Sequence, residues 1–399
     1  MNILIFSKHF WPENFKINII AEELVKRKNE VDVITCHSNY NNNSKLKNYK
    51  KFFFIKKRKW KNINIYYFPV YKKKNYNGIN IFIEYFSFFI SSFFFLFFFF
   101  KKKYNIIFVF GTSPILQALP MICYSKLKKI PLVLWVQDLW PESLRDTNYI
   151  KSSLILNFIK FLVRIIYVNS SLILVQSAAF IKNIKINFNI KNKIFVHYNP
   201  SENKFSKFNF NKNKKKIITY AGNFGNAQDF ETIKLCLMDK TLNENILFYF
   251  IGSGKKMSEF KDFILKNDLL YKVKIIDYLE PKFLHKHLLK SDAFFLTLKR
   301  GFALNLTIPG KFQTYISFGK PIIANCEGVA YELVKKNNLG FVNKPDDYSK
   351  LLENLNKLSN LSIYNNKIIY KNMKRIYNKH FNKTVNINLL EKYFFIAAK

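Results

Sequence analysis

The sequence predicts an α/β protein with two doubly wound domains, each built on a parallel sheet. Short runs rich in β-branched and aromatic residues alternate with helical patterns over nearly the whole chain, which is typical of parallel α/β sheets. The 399 residues allow two or three domains at about 150 residues each. A stretch of mainly Asn, Lys, Ser and Phe, Asn199 to Lys216, separates two such series and predicts a linker.

In the first half, apolar runs predict seven strands. A helix from Asn14 to Lys28 is predicted because Ile17, Ala21 and Leu24 recur on one face. The strands are Asn2 to Phe6, Val31 to Thr35, Ile63 to Phe68, Asn105 to Phe110, Leu132 to Val136, Leu172 to Val175 and Ile194 to Val196.

In the second half, strands and helices alternate strictly. Two doubly wound domains joined by a linker usually bind ligands between them, at the carboxyl ends of the strands. The strands are Ile217 to Ala221, Ile246 to Ile251, Val273 to Ile276, Ala293 to Leu298 and Pro321 to Ala324. The helices are one from Asp229, Lys256 to Leu265, Pro281 to Leu289 and Pro309 to Phe318.

The segment from Ile79 to Phe100 is strongly apolar. Its uncharged part, Tyr85 to Phe100, would be about 24 Å long as a helix, shorter than the roughly 30 Å hydrocarbon core of a bilayer. A single crossing would also divide one sheet across the membrane. We therefore expect a monotopic helix or a hydrophobic hairpin, with a Phe-rich core helix as the alternative. Lysines expected at the headgroups are Lys72, Lys73, Lys74, Lys101, Lys102 and Lys103.

The formal net charge is +39, from 65 Lys and Arg against 26 Asp and Glu. Only six of these cations are arginine, the residue suited to bidentate recognition of bases and phosphates. Lys, Asn, Ile, Phe and Tyr all have A/T-rich codons, so much of the charge reflects genome composition. We expect no nucleic-acid partner, and an anionic lipid surface remains compatible with the charge.

The cysteines, Cys36, Cys123, Cys236 and Cys326, are far apart and form no CxxC pair. This spacing predicts buried, reduced thiols and a cytosolic compartment. The apolar run from Asn2 to Phe6 is too short for a signal peptide and has no basic region before it.

Four segments carry the most specific motifs: KHFWPEN (Lys8 to Asn14), WVQDLWPES (Trp135 to Ser143), YAGNFGNAQDFETI (Tyr220 to Ile233) and TIPGKFQTYISFGKPI (Thr307 to Ile322). In this order they resemble the bacterial family 4 glycosyltransferases of the GT-B fold, and within them the WbuB-like or L-fucosamine transferases of O-antigen and capsule assembly. The resemblance covers almost the whole chain. It implies two Rossmann-like domains facing across a cleft, a nucleotide-sugar donor, retention at the anomeric carbon, and neither a cofactor nor a metal ion.

The resemblance also implies a domain organisation. Residues 1–198 would bind the acceptor and include the hydrophobic segment 79–100. Residues 199–216 would form the linker, and residues 217–375 would bind the nucleotide-sugar. Residues 376–399 would form a helix that crosses back to the N-terminal domain.

A place for the leaving diphosphate is predicted at Thr307-Ile308-Pro309-Gly310-Lys311. Pro suits a first helical position, Gly310 permits close backbone approach, and Lys311 adds a full charge. An ordinary helix start is the alternative. The resemblance assigns Thr307, Pro309, Gly310 and Lys311 to the donor phosphates.

Glycine-containing turns follow two further strands, where they permit tight turning and close ligand approach. These are Gly222-Asn223 with Gly225 and Gln228 beyond, and Gly252-Ser253-Gly254. The resemblance also implies that Tyr278 and Leu279 contact the base, and that Glu327 and Gly328 approach the donor sugar or ribose. A solvated loop carboxylate is the alternative for Glu327.

The sequence departs from the family pattern at its charged positions. Asn223 and Gln228 stand where many members have Arg and Lys, and Leu306 and Thr314 stand where the wider family has a pair of glutamates. Lys311, with Lys299 or Arg300, would then neutralise the diphosphate.

Asp138 lies between Trp135 and Trp140 at the end of a predicted strand. Such a carboxylate can orient an acceptor hydroxyl or take its proton, and indole rings can stack on sugars. A helix N-cap is the alternative role for Asp138. His9 and Glu13 are expected in the same cleft. The predicted catalytic residues are therefore Asp138, His9 and Lys311.

These features predict a glycosyltransferase that moves a sugar, an N-acetylated amino sugar, from a UDP-sugar to an undecaprenyl-diphosphate-linked saccharide. It would work in O-antigen or capsule synthesis at the inner face of the cytoplasmic membrane. One alternative is a GT-B nucleotide-sugar epimerase, which needs no membrane anchor. The other is a noncatalytic basic membrane-binding protein, which needs no glycines at strand ends.

Overall fold

The computed structural model describes residues 1–36, 54–71, 78–99, 102–146, 150, 152–211 and 215–399. The chain divides into two compact units. The N-terminal unit comprises Met1–Tyr198 and Asn386–Lys399, and the C-terminal unit comprises Asn199–Val385. Each unit contains a mainly parallel sheet with helical crossovers, so the predicted α/β fold class of two doubly wound domains is confirmed.

The N-terminal unit has an eight-stranded sheet in the order β3-β4-β2-β1-β5-β6-β7-β8. All seven predicted strands are present within two residues of their predicted ends. The unpredicted β3 pairs antiparallel with β4 at the sheet edge, and its sequence KKRKW has no apolar alternation to signal a strand. Lysines on an edge strand also discourage pairing with other chains. The strands are β1 (Asn2–Phe6), β2 (Glu30–Cys36), β3 (Lys56–Trp60), β4 (Ile63–Phe68), β5 (Ile106–Gly111), β6 (Leu132–Val136), β7 (Leu172–Val175) and β8 (Ile194–Val196).

The helices of the N-terminal unit cover both faces of this sheet. Those within residues 1–198 are α1 (Lys16–Lys26), α2 (Gly78–Phe99), α3 (Leu119–Lys128), α4 (Glu142–Asp146), α5 (Ser153–Val168) and α6 (Ala178–Phe188). A 3-10 turn, Ile115–Ala118, leads into α3. Alternate residues of a strand point to opposite faces, so Ile3 and Ile5 meet Ile17 and Leu24 of α1, whereas Phe6 stacks on Phe88 of α2 at 5.5 Å.

The C-terminal unit has a six-stranded, fully parallel sheet in the order β11-β10-β9-β12-β13-β14. The predicted strands are all present, and β14 is an addition whose sequence, GFVN, has only two apolar side chains between a glycine and an asparagine. The strands are β9 (Lys216–Asn223), β10 (Ile246–Ser253), β11 (Val273–Asp277), β12 (Ala293–Thr297), β13 (Ile322–Asn325) and β14 (Gly340–Asn343). The helices are α7 (Glu231–Met238), α8 (Met257–Lys266), α9 (Pro281–Lys290), α10 (Phe302–Leu306), α11 (Gly310–Ile316), α12 (Gly328–Lys336), α13 (Tyr348–Ser359) and α14 (Ile363–Ile376).

Two segments at the ends of this unit are ordered by aromatic and apolar contacts. In the predicted linker, the Phe205 ring lies 5.2 Å from both Tyr370 and Tyr377, while residues 212–214 fall outside the described part. The last helix, α15 (Lys383–Ala398), contributes Ile387 and Leu390 to the core of the N-terminal unit.

The apolar segment forms a single helix, α2, so the hairpin alternative is wrong. One side of α2 is buried in the N-terminal unit through Glu84, Phe88 and Leu96, and the other side exposes Phe86 and Phe93. Among the described residues, no helix is long and apolar enough to span a bilayer. Of the flanking lysines, Lys72, Lys73, Lys74 and Lys101 lie outside the described residues, and Lys102 and Lys103 are exposed.

A buried ion pair holds α2 to the end of β1. The Lys8 Nζ atom lies 2.7 Å from Glu84 Oε1, and the two side chains are only 2% and 3% exposed. The same ammonium lies 3.5 Å from the centroid of the Tyr85 ring. Lys8 directly precedes His9, so this pair connects the apolar helix to a predicted catalytic residue.

Three of the four cysteines follow the prediction. Cys36, Cys236 and Cys326 are buried, but Cys123 is exposed. The prediction of a buried thiol at Cys123 is wrong because this residue faces outward on α3, whose neighbours Ile122 and Tyr124 point into the core.

We predict that Glu84→Gln destabilises the protein by about 3–5 kcal/mol, because it removes the carboxylate that pairs with the buried Lys8 ammonium. Urea unfolding followed by circular dichroism measures the loss. Glu353→Gln is the control, since Glu353 pairs with Lys350 and Lys357 on an exposed helix surface and its loss should change stability little. The double variant Lys8→Met/Glu84→Leu should recover much of the stability. Equal stabilities for Glu84→Gln and the control would contradict the prediction.

Candidate functional site

The carboxyl edge of the C-terminal sheet brings the predicted glycine turns side by side. Gly222 of β9 is in register with Gly252 of β10, and Gly252 is in register with Asp277 of β11. Asn223 and Ser253, both exposed, are therefore also neighbours. Tyr278 and Leu279 follow β11 at the sheet edge, two strands away from β9, and the Tyr278 side chain is exposed.

The absence of side chains at Gly222 and Gly252 allows their neighbours to approach closely. Gly252 has φ +153°, and a Cβ there would lie 1.9 Å from the carbonyl oxygen of Gly222. Gly222 has φ +150°, and a Cβ there would lie 2.3 Å from Lys311 Cε. The aliphatic chain of Lys311 thus crosses the backbone of β9 where a side chain would otherwise stand.

Lys311 is held by the tyrosine two residues before Gly222. Its Nζ donates to Tyr220 Oη at 2.7 Å and lies 4.3 Å from the centroid of that ring. Burial lowers the pKa of Lys311 to about 7. The Tyr220 hydroxyl in turn donates to the carbonyl oxygen of Asn223, and burial raises the pKa of Tyr220 well above its usual value. Lys311 can therefore gain or lose a proton near neutral pH.

The other residues of the TIPGK segment approach α11 from its N-terminal side. α11 begins at Gly310, with Pro309 as the extended residue before it, so the predicted start at Pro309 is one residue early. The Thr307 hydroxyl donates to the carbonyl oxygen of Ala303 at 2.8 Å. Gly310 has no close neighbour at its Cβ position apart from Gln313 Oε1 at 3.8 Å.

Gln228 organises the turn after β9. Its Oε1 accepts a hydrogen bond from the Gly225 amide at 2.9 Å. Gln228 and Lys299 line one small cavity with Lys234 and Lys256. In this cavity Lys234 and Lys256 share Glu259, at 3.0 Å and 2.6 Å. Lys256 was not among the predicted residues, although its position just after Gly252-Ser253-Gly254 could have indicated it.

Glu327 and Gly328 lie at the end of β13, two strands from β9 on the side opposite β11. Gly328 has φ +73°, and a Cβ there would lie 1.9 Å from the carbonyl oxygen of Asn305. Arg300 Nε lies 3.8 Å from Glu327 Oε1 and 3.4 Å from Asp346 Oδ2. Arg300 therefore lies near two carboxylates beyond the end of β13, whereas Lys311 lies at the end of β9.

A buried polar network supports the edge and was missed by sequence reasoning. Asn325 Nδ2 donates to Asp229 Oδ2 at 2.8 Å and to Thr297 Oγ1 at 3.0 Å, and Asn343 Nδ2 donates to Asn325 Oδ1 at 2.6 Å. The Thr297 hydroxyl donates to the carbonyl oxygen of Asp229. Thr297, Asn325 and Asn343 are the last residues of β12, β13 and β14 and lie in register. A polar residue at the end of each of these strands could have indicated the network.

At the carboxyl edge of the N-terminal sheet, Asp138 is bound to the loop after β5. Its Oδ2 accepts hydrogen bonds from the Ser113 amide at 3.0 Å and the Ser113 hydroxyl at 2.9 Å. Burial raises the pKa of Asp138, and the two bonds from Ser113 oppose that rise. Trp140 Nε1 donates to Ser113 Oγ at 3.0 Å, so Ser113 joins the carboxylate to the indole.

Trp135 is not available for stacking on a sugar, so the prediction for this indole is wrong. It is fully buried, with Phe108 at 6.0 Å and His197 at 4.7 Å between ring centroids. Its Nε1 donates to the carbonyl oxygen of His197. Trp135 lies within β6, and its side chain is buried because this position of the strand faces the hydrophobic core.

His9 and Glu13 form a pair after β1. His9 Nδ1 lies 2.8 Å from Glu13 Oε2, and the imidazole stacks on Phe15 at 4.7 Å. Burial lowers the pKa of His9, while its bond to Glu13 opposes that fall. The carboxylate orients the ring and favours a proton on Nδ1, as in other acid-histidine pairs.

Comparison with known proteins adds family and fold information. Residues 201–375 match the family described as glycosyl transferases group 1. The matched range contains β9 to β14, and with them Lys311 and both glycine turns. Curated protein sequences give no significant match.

Solved structures resemble the whole chain at low sequence identity. Sucrose-phosphate synthase from Thermosynechococcus elongatus has a TM-score of 0.74 at 12% identity, covering 100% of both chains. Anabaena HepE in complex with UDP-glucose has a TM-score of 0.64 at 14% identity, covering 98% of this chain and 99% of its own. WaaG, a glycosyltransferase involved in lipopolysaccharide biosynthesis, has a TM-score of 0.67 at 12% identity, covering 99% of both.

These comparisons agree with the architecture described above. The matched family model covers the C-terminal unit from Ser201, and the structural neighbours extend over both units. The chain therefore has the GT-B fold, and its residues 201–375 match glycosyl transferases group 1.

Proposed function

We propose that the protein is a retaining, family 4-like glycosyltransferase that moves a sugar from a UDP-sugar to a lipid-linked saccharide. The donor would be a UDP-linked N-acetylated amino sugar and the acceptor an undecaprenyl-diphosphate-linked saccharide, as in the WbuB-like enzymes of O-antigen and capsule assembly. The enzyme would work at the cytoplasmic face of the membrane, without a metal ion or cofactor.

The placement of Lys311 is the observation that carries this proposal. Departure of UDP places negative charge on a phosphate, and a transferase must stabilise that charge in the transition state. Lys311 lies over Gly222 at the carboxyl edge of the group 1 domain, where backbone and cation can both approach a ligand. The structural relative HepE is described in complex with UDP-glucose, which favours a uridine nucleotide as the first donor to test.

Asp138 and His9 would act on the acceptor. In a retaining transfer the hydroxyl and the leaving phosphate share one face of the sugar, so the phosphate itself can take the proton. Asp138 would then orient the acceptor, since two hydrogen bonds from Ser113 fix its carboxylate. The His9–Glu13 pair offers a second oriented polar group at the same edge of the sheet.

The exposed side of α2 would bring the enzyme to its acceptor. Burying several phenylalanines in lipid would contribute roughly 1.5–3 kcal/mol for each. α2 remains attached to the N-terminal unit through Lys8 and Glu84, so it would lie along the bilayer surface.

The proposal is tested by a donor screen followed by a transfer assay. Thermal-shift measurements against UDP-, GDP- and dTDP-sugars identify the donor, and UDP release with a lipid-linked saccharide in vesicles tests transfer. Transfer of the sugar to lipid supports the proposal. Conversion of the donor to its epimer without transfer would assign the epimerase function, and binding of vesicles without any nucleotide-sugar would assign the noncatalytic one.

Lys311 should make UDP binding depend on pH between 7 and 9. With a pKa of about 7 in the free protein, Lys311 is mostly neutral in this range, and bound diphosphate favours its protonated form. The complex therefore holds more protons than the free protein, so affinity falls as pH rises, by up to about tenfold per unit. Calorimetry in buffers of different ionisation enthalpy measures the proton uptake.

Lys311→Met should abolish this proton uptake and lower transfer by on the order of 100-fold or more. Lys357→Met, on an exposed surface of α13, is the matched control and should change neither property. Turnover of Lys311→Met within about threefold of the wild type would exclude Lys311 as the group that stabilises the leaving phosphate.

Asp138→Asn should lower kcat by on the order of 100-fold and leave the Kd for UDP-sugar unchanged. The amide oxygen can still accept from Ser113, so the loop should keep its conformation. Glu23→Gln, on α1, is the control in the same unit. Steady-state kinetics and donor calorimetry separate the two effects. Loss of donor affinity would show that Asp138 serves the donor.

Replacing Phe86, Phe93 and Phe94 with Ser should release the protein from vesicles and reduce transfer to a lipid-linked acceptor, while UDP-sugar binding survives. These three side chains are exposed, whereas Phe88 and Phe95 are buried and are left intact. Flotation with phosphatidylglycerol vesicles measures attachment. Phe283→Ser on α9 is the control. Unchanged flotation of the triple variant would contradict the role of α2.

A further inference from the structure

The topology of the N-terminal unit places four of its helices on one side of the sheet. The crossover through α1 leads from β1 to β2 toward one edge, and the crossovers through α2, α3, α5 and α6 lead toward the other edge. Parallel crossovers are right-handed, so the latter four helices lie on the side opposite α1. α2 and α5 both contact the 3-10 turn Ile115–Ala118, which places them close to one another on this side.

α5 has two apolar sides, only one of which meets the sheet. Leu156, Ile159 and Val163 are buried against the unit. On its other side α5 exposes five large hydrophobic side chains, of which Leu154 is 80% exposed and Val168, at the end of the helix, is 44% exposed. The other three are Ile155, Phe158 and Phe161.

α1, on the other side of the sheet, exposes no large hydrophobic residue, whereas α15, which packs on the same side as α1, exposes Leu389, Phe395 and Ile396 and also carries Glu391. Every large hydrophobic residue of α1 is buried or half-buried, and its outer surface carries Glu22, Glu23 and Lys26. Contiguous exposed apolar surface on a folded unit marks a place of interaction. α3 and α6 add Leu127 and Ile186 to the exposed residues on the side of α5.

The exposed charges on α2, α3, α5 and α6 all have one sign, while the short α4, in the same crossover as α5, carries the acidic residues Glu142 and Asp146. α2, α3, α5 and α6 contain a single acidic residue, Glu84, which is buried and paired with Lys8. The same helices carry six cations, Lys126, Lys128, Lys160, Arg164, Lys182 and Lys185. A surface that combines exposed apolar side chains with cations and lacks exposed carboxylates is complementary to anionic lipid. A second copy of this chain, itself at +39, would be repelled.

We propose that α5 is a second lipid-inserting helix, which together with α2 seats the N-terminal unit on a bilayer that contains anionic phospholipid. This inference rests on the proposed function, in which α2 contacts the membrane. It adds a second membrane contact, formed by residues of α5. Leu154, Ile155, Phe158 and Phe161 enter the interface between headgroups and acyl chains. The cations of α3, α5 and α6 lie at the phosphates.

The test compares full-length variants in flotation with vesicles of phosphatidylcholine alone and vesicles that also contain phosphatidylglycerol. Leu154→Ser/Phe158→Ser/Phe161→Ser should bind phosphatidylglycerol vesicles on the order of 100-fold more weakly than the wild type. The control, Leu265→Ser/Leu270→Ser/Tyr271→Ser, removes equally exposed side chains from the C-terminal unit, where Asp262 and Asp268 lie nearby, and should bind as the wild type does. The single variant Leu154→Asp, at a position that is 80% exposed, should show a partial loss of vesicle binding with an unchanged Tm.

The outcomes separate this inference from the proposed function. UDP-sugar binding should be unchanged in the α5 variants, and its absence from the wild type would contradict the enzyme assignment without bearing on α5. Wild-type flotation of both α5 variants, alongside loss in the α2 variant, would overturn the inference and leave the role of α2 intact. A wild-type dimer in light scattering that the α5 variant dissolves would also overturn it, because the surface would then serve self-association.

Discussion

The structure of the carboxyl edge of the C-terminal sheet depends on two glycines, Gly222 and Gly252, which have no side chain. A Cβ at Gly252 would overlap the carbonyl oxygen of Gly222, and a Cβ at Gly222 would overlap the Lys311 chain. Because neither is present, β9 and β10 continue side by side to their ends, and Lys311 from α11 lies across β9. The position of the ammonium, its bond to Tyr220 and the turn that contains Asn223 all depend on this close approach.

The same edge is stiffened from within by polar groups that water cannot reach. Asp229, Thr297, Asn325 and Asn343 hydrogen-bond to one another across the ends of three strands. A buried polar group without a partner costs about 1–3 kcal/mol, so movement of any one strand end would be opposed by its neighbours. A fixed edge suits a reaction in which charge develops at one place, because the stabilising groups need not reorganise.

Most of the fold could be predicted because burial on both faces of a parallel sheet leaves uninterrupted apolar runs, and the strands from Asn2 to Asn325 show them. β3 could not, since an exposed edge strand such as KKRKW has no apolar face. The glycine turns and Lys311 were visible as sequence motifs. Tyr220 as the partner of Lys311, and Ser113 as that of Asp138, were not, because both contacts join residues far apart in the chain. The role given to Trp135 failed for a related reason: strand position, and not the neighbouring aspartate, decides where its indole points.

The Lys8–Glu84 pair has a consequence for how α2 can meet lipid. If α2 left the sheet and entered the hydrocarbon, the Glu84 carboxylate would move into a medium of low polarity and would lose its contact with the Lys8 ammonium. The ion pair thus keeps α2 packed on the sheet. The exposed phenylalanines of α2 are therefore already in position before the protein contacts lipid. Attachment to a bilayer would then require no refolding. The protein could bind and leave the membrane reversibly, with the same conformation in both states.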